Sequence, residues 1–294
     1  MAVTDPLARN DTGIVKVPSA GGRSSQLAQH IGRYRVERLL GQGRLGVVYF
    51  AHDDEIEQPV AVKVPHAELV SPPENAEAYL AEARTVVSLD HPHIVPIHEV
   101  GSADNFPCYI VSKYVQGVDL RRSDEAQPHT TLETAKIVIT LAKALDYAHG
   151  KHLCHLNLRP GKILVGSEDR PWLFADDFMR VERLAGDRWI PGNPYYSSPE
   201  QVAGKQALVG PPSDIFSLGV VLYRMLTGRG PYRSEGGLQL CEEILNPRIE
   251  PPSEVNAGIP PDFDRICARA MAQSPKDRYP SMRELADDLR AIFG

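Results

Sequence analysis

Residues 34–64 read YRVERLLGQGRLGVVYFAHDDEIEQPVAVKV, and no other stretch narrows the choice of fold as far. Runs rich in Val, Tyr and Phe flank a glycine cluster and then a polar tip, the pattern of strands joined by hairpins. The segment after the glycines, GVVYFA, is itself a strand. A dinucleotide-binding βαβ unit needs a helix there, so an antiparallel meander is expected instead. Its turn carries Gly41, Gly43 and Gly46. Such a turn lets backbone N–H groups approach an anion closely, although a plain hairpin bulge uses the same residues.

The third strand, PVAVKV, sets Lys63 between Val62 and Val64. A lone strand lysine is ordinarily solvated. The next segment, PPENAEAYLAEARTVVSL, has helical periodicity, with Tyr79, Ala83 and Val86 on one inward stripe. Glu82 lies on that stripe, and a carboxylate facing a core is costly without a cation. Paired with Lys63, it has the chemistry of a clamp on nucleotide phosphates. The strands HIVPIHEVG and PCYIVSKYV complete a first lobe ending near Gln116.

Helices dominate the remainder. TTLETAKIVITLAKALDYAHG opens with a capping box, Thr130 and Glu133, and closes at Gly150. SDIFSLGVVLYRMLTG is apolar nearly all round, so it is expected to be buried between a cap at Ser213 and a stop at Gly228. SMRELADDLRAIF follows Pro280 with a second capping box, Ser281 and Glu284. Residues 1–30 mix small and polar side chains without a sustained period and read as a flexible tail. The fold class is therefore α+β: a small strand-rich lobe over about 31–116 and a larger helical lobe over about 117–294.

A net charge of −6 argues against a nucleic-acid binder that works through a basic face. No apolar run is long enough to span a bilayer and no signal core opens the chain, so a cytoplasmic protein without membrane insertion is expected. Cys108, Cys154, Cys241 and Cys267 lack metal-ligand spacing and read as reduced, mostly buried side chains.

The ordered segments LAEARTVVSLDHPHIV, YIVSKYVQG, ALDYAHGKHLCHLNLRPGKILV, DDFM, NPYYSSPEQ, SDIFSLGVVLYRMLTG and KDRYPSM, together with the meander, resemble protein kinases. The likeness is to bacterial serine/threonine kinases of the eukaryotic type, and it covers about residues 31–294. It implies a two-lobed kinase fold with ATP in the cleft. Val48, Ala61 and Leu164 would sandwich adenine. Ser112 would be the gatekeeper before Lys113, Tyr114 and Val115 of the hinge, and Asp119 would meet the ribose. Val86, Ile97, His155 and Phe178 match a hydrophobic spine anchored by Asp214. Glu200 and Arg278 match a buried ion pair of the large lobe.

Departures from the family cluster on the chemistry. HLNLRPGKILV places Asn157 where the family has its catalytic aspartate. A neutral amide is no useful base near neutral pH. Lys162 occupies the slot of an asparagine that ligates a second magnesium; an ammonium cannot ligate a metal, but could lie near phosphates or pair with Asp177. Arg159 replaces a lysine, Asn193 replaces a threonine, and Met179 replaces the flexible glycine after Asp177, the remaining metal-ligand candidate. Leu156 removes the arginine that would read a phosphorylated loop, and FMRVERLAGDRWIPGNPYY contains no Ser or Thr. Asp176 adds a second acid beside Asp177, which argues against ordinary Mg-ATP binding. The expectation is a catalytically impaired kinase domain, a pseudokinase that binds nucleotide or a protein partner in signalling. The alternatives are a slow atypical kinase and a scaffold that binds no nucleotide.

Overall fold

The computed structural model describes residues 29–43, 45–103, 105–180 and 194–294. Most of the expected tail, Asn193 and most of the loop read as lacking Ser and Thr lie outside these residues. The tail ends slightly earlier than expected, because His30–Ile31 (β1) already pairs with Tyr34–Gly43 (β2) and buries Ile31.

The meander forms as the alternation requires. β2 pairs with Gly46–Asp53 (β3), and β3 with Gln58–Pro65 (β4). Pro73–Val86 (α1) follows, then Ile94–Val95 (β5), Ile97–Ala103 (β6) and Phe106–Lys113 (β7). The first sheet is antiparallel throughout, in the order β1-β2-β3-β4-β7-β6. Pro96 splits the run expected as one strand. β5 leaves this sheet to pair in parallel with Pro171–Phe174 of the large lobe.

Past the extended connection at 114–117 come Val118–Asp119 (β8), Leu120–Ala126 (α2), Thr131–His149 (α3), Leu153–Cys154 (β9) and Ile163–Val165 (β10). The strand Pro171–Phe174 is β11, and Met179–Arg180 (β12) pairs with β9. Helices Pro199–Val202 (α4), Pro211–Thr227 (α5), Gly237–Leu245 (α6), Pro252–Val255 (α7), Asp262–Ala270 (α8) and Met282–Ala291 (α9) complete the large lobe. Thr130 and Glu133 make the full capping box of α3.

Two expected caps differ. α5 begins at Pro211 with Ser213 inside its first turn, because Pro lacks the N–H that an opening turn would leave unpaired anyway. The Ser213 hydroxyl accepts from Gly210 N–H and donates to Glu200. At α9, Ser281 accepts from Glu284 N–H, but the Glu284 carboxylate faces Arg269 at 3.9 Å.

One apolar core joins the lobes: Val86 and Ile97 of the small lobe share it with Phe178 and with α3 and α5. α5 is buried on nearly every side, as its composition requires. Beneath it Arg278 donates from both terminal nitrogens to the two Glu200 oxygens, each at 2.7 Å, with both side chains essentially inaccessible.

Candidate functional site

Strand register builds a cleft between the lobes. Side chains two apart on a strand share a face, so Ala61 with Lys63 on β4, and Ile110 with Ser112 on β7, point the same way. The pairings Val48↔Lys63, Ala61↔Ser112 and Lys63↔Ile110 align them. From below, Leu164 pairs with Asp119. The resulting cleft, about 470 Å³, is lined on its apolar side by Val48, Ala61 and Leu164, and at the connection by Lys113, Tyr114 and Val115. Gly41 and Asp119 line it too, while Gly43 and Gly46 do not. A Cβ at Gly46 would collide with the Val64 carbonyl oxygen, so this glycine serves the close approach of β3 to β4. Asp119 also caps α2, accepting from Arg122 N–H at 3.1 Å.

The catalytic-loop region is held from α5. The Asp214 carboxylate accepts from the backbone N–H of His155 at 2.8 Å and of Leu156 at 2.6 Å, and lies 2.8 Å from His149 Nε2. Leu156 sits in the left-handed region at φ 56°, uncommon for leucine. The Asp214 bond and a Gln201 amide donating to the Leu156 carbonyl at 2.9 Å hold it there. Its side chain packs with Cys154, Val209 and Met179. Two departures that look independent in sequence therefore touch. His155 stacks edge-on against Phe178, ring centroids 5.3 Å apart, so the expected spine is assembled. Burial holds the His155 imidazole below its ordinary pKa, and its Nε2 has no hydrogen-bond partner.

The charged end of the cleft corrects the sequence reading. Lys63 Nζ donates to Asp176 Oδ2 at 2.5 Å; its ion pair is with this aspartate and not with Glu82. Asp176 reaches it because the turn 175–177 lifts the second acid toward β4. Burial pushes the Lys63 pKa down, Asp176 and Asp177 push it up further, and the net is a rise. Lys162, presented by the turn Pro160–Lys162, donates to Asp177 Oδ1 at 2.7 Å. Burial would raise the Asp177 pKa, but Lys162 and then Lys63 hold it below the usual carboxylate range. Side-chain exposures of 17% and 13% for the first pair, and 21% and 8% for the second, leave both partly buried. Neither aspartate is a solvated turn residue.

Asn157 lies beside this cluster in sequence but does not line the cleft; Arg159 and Lys162 do. Arg159 has no carboxylate partner among the described residues. A magnesium ion fits this donor set poorly. Asp177 Oδ2 is buried without a hydrogen-bond partner and could serve as one ligand, but its other oxygen holds an ammonium and Asp176 is engaged by Lys63.

A family model described as "Protein kinase domain" matches residues 34–288. Among curated proteins, serine/threonine-protein kinase PknE of Mycobacterium bovis is 35% identical over 270 residues, spanning 90% of this chain and 47% of that protein. Serine/threonine-protein kinase PknH of Mycobacterium tuberculosis is 34% identical over 268 residues, spanning 90% of this chain and 42% of that one. The chain thus spans about half the length of these relatives. The crystal structure of the Mycobacterium tuberculosis PknI kinase domain superposes with a TM-score of 0.70 at 26% identity, covering 90% of this chain and 99% of that one.

Proposed function

The chain belongs to the protein kinase family, and from that premise we propose that it is a catalytically impaired member, a pseudokinase acting as a nucleotide- and protein-binding module in signalling. The observation that carries this reading is the Lys162 ammonium 2.7 Å from Asp177 Oδ1. A fixed cation occupies the acid that would otherwise help hold a metal, and Asn157 offers no base. General-base catalysis is typically worth about 10² to 10⁴ in rate, and the metal neutralises charge developing on the phosphates. The assembled spine and the Glu200–Arg278 pair support a rigid fold kept for binding.

Incubation of the purified chain with radiolabelled ATP and Mg²⁺ tests this. The expected result is no transfer to itself or to a generic acceptor. Turnover of about 1 to 100 per second, typical of kinases, that disappears in Lys63→Met would overturn it. A second reading, a slow atypical kinase, is favoured by the intact framework and by the similarity to serine/threonine-protein kinases. Slow transfer lost in the same variant would establish it.

A further inference from the structure

The charges lining the cleft restrict which ligand it can take. Lys63 and Lys162 are each matched by an aspartate, so the four groups carry no net charge. Arg122 lies 3.5 Å from Asp119, and Lys113 lies over the Trp172 ring at 5.7 Å. Lys113 and Arg159 are thus the lining cations without a carboxylate partner among the described residues. A triphosphate reaching Lys63 would have to displace Asp176 while lying against Asp177. Partly buried like charges at such range repel strongly, because little solvent screens them. Neutralising the phosphates with a divalent cation does not remove the difficulty, since the unengaged ligand oxygen, Asp177 Oδ2, shares its carboxylate with the Lys162 ammonium, which would repel the ion. The slot formed by Val48, Ala61 and Leu164 imposes no such cost on a base.

Resting on the reading of a nucleotide-binding cleft, we propose that the site takes an adenine nucleoside or nucleoside monophosphate without metal, and that Asp176 excludes triphosphates by holding Lys63. The two unmatched lining cations, Lys113 and Arg159, suit a ligand bearing one phosphate, whose charge is about −1.5 to −2. Asp176 is thus a specificity residue.

Isothermal titration calorimetry of the intact chain with adenosine, AMP, ADP and ATP, each in EDTA and in excess Mg²⁺, tests the proposal. Adenosine and AMP are expected to bind at least about tenfold more tightly than ATP, in the same order with or without magnesium. Asp176→Asn keeps the side-chain shape and removes the charge; it should raise the affinity for ATP relative to adenosine by about tenfold. Asp176→Ala should move the ratio the same way, and thermal melting of both variants checks that they fold. ATP binding more tightly than AMP, or a ratio unchanged in both folded variants, would overturn the role of Asp176 while leaving the nucleotide reading intact. Failure of all four ligands to bind the folded chain would overturn both.

Discussion

Asn157→Asp restores a group able to accept a hydroxyl proton but leaves the Lys162 ammonium on Asp177. Lys162→Asn frees Asp177 and supplies a neutral ligand, yet provides no base. Residues that act as a unit are strongly non-additive, so neither single change should give measurable phosphoryl transfer. The double variant, with Met179→Gly added if the segment stays rigid, should do so in a radiolabelled ATP assay. Activity in Asn157→Asp equal to that of the double variant would make Lys162 a bystander. The single Lys162→Asn change has its own signature. With both Asp177 oxygens unmatched by a cation, Mg²⁺ should raise its melting temperature, by binding the native state, while leaving the parent protein unmoved.

At the scale of elements, β12 is tied to β9 by the pairings Met179↔Cys154 and Arg180↔Leu153, and by the cluster of Leu156, Met179 and Val209. Met179→Gly removes the side chain from that cluster and widens the accessible backbone conformations. Amide exchange at residues 179 and 180 should then accelerate by about tenfold or more, with exchange in α5 unchanged; equal protection in both proteins would mean that the strand pairing alone holds the segment. The sequence makes these elements readable but not their contacts. Val86, Ile97, His155 and Phe178 are legible as a spine because each lies at a fixed place in an ordered motif, and α5 because its apolar residues leave no polar face. The Lys63 partner is not legible: Glu82, Asp176 and Asp177 are all acids within plausible reach, and the choice depends on where a three-residue turn puts one carboxylate, 113 residues away in the chain. The start of α5 is misread for a local reason, since Ser213 has the chemistry of a cap while Pro211 and Pro212 ahead of it suit the first helical turn better.

For the whole molecule, the buried titratable groups set the dependence of stability on pH. His155 is held neutral by burial, so its folded pKa lies below the unfolded value of about 6.5. The unfolded chain therefore binds the extra proton first, and stability falls as pH drops below about 6.5. In Asp177 burial pushes the pKa up while Lys162 pulls it lower, and in Glu200 burial is likewise outweighed by Arg278, so both stay below their ordinary range. Their contribution is full above the unfolded carboxylate values of about 4 and is lost below them. Asp124, raised by burial, works weakly the other way. Urea unfolding from pH 8 to pH 3 should show a first decline beginning near 6.5 and a second beginning near 4; stability constant over that interval would contradict the assignment. The Lys63–Asp176 pair has a mechanical consequence as well. The small lobe is fastened to the large one by the connection at 114–117, by the parallel pairing of β5 with β11 and by the shared apolar core around Val86, Ile97 and Phe178. The ion pair adds a charged link from β4 to the turn after β11. Parting the lobes would strand both charges away from each other in partly buried surroundings, so the pair works as a latch on the cleft.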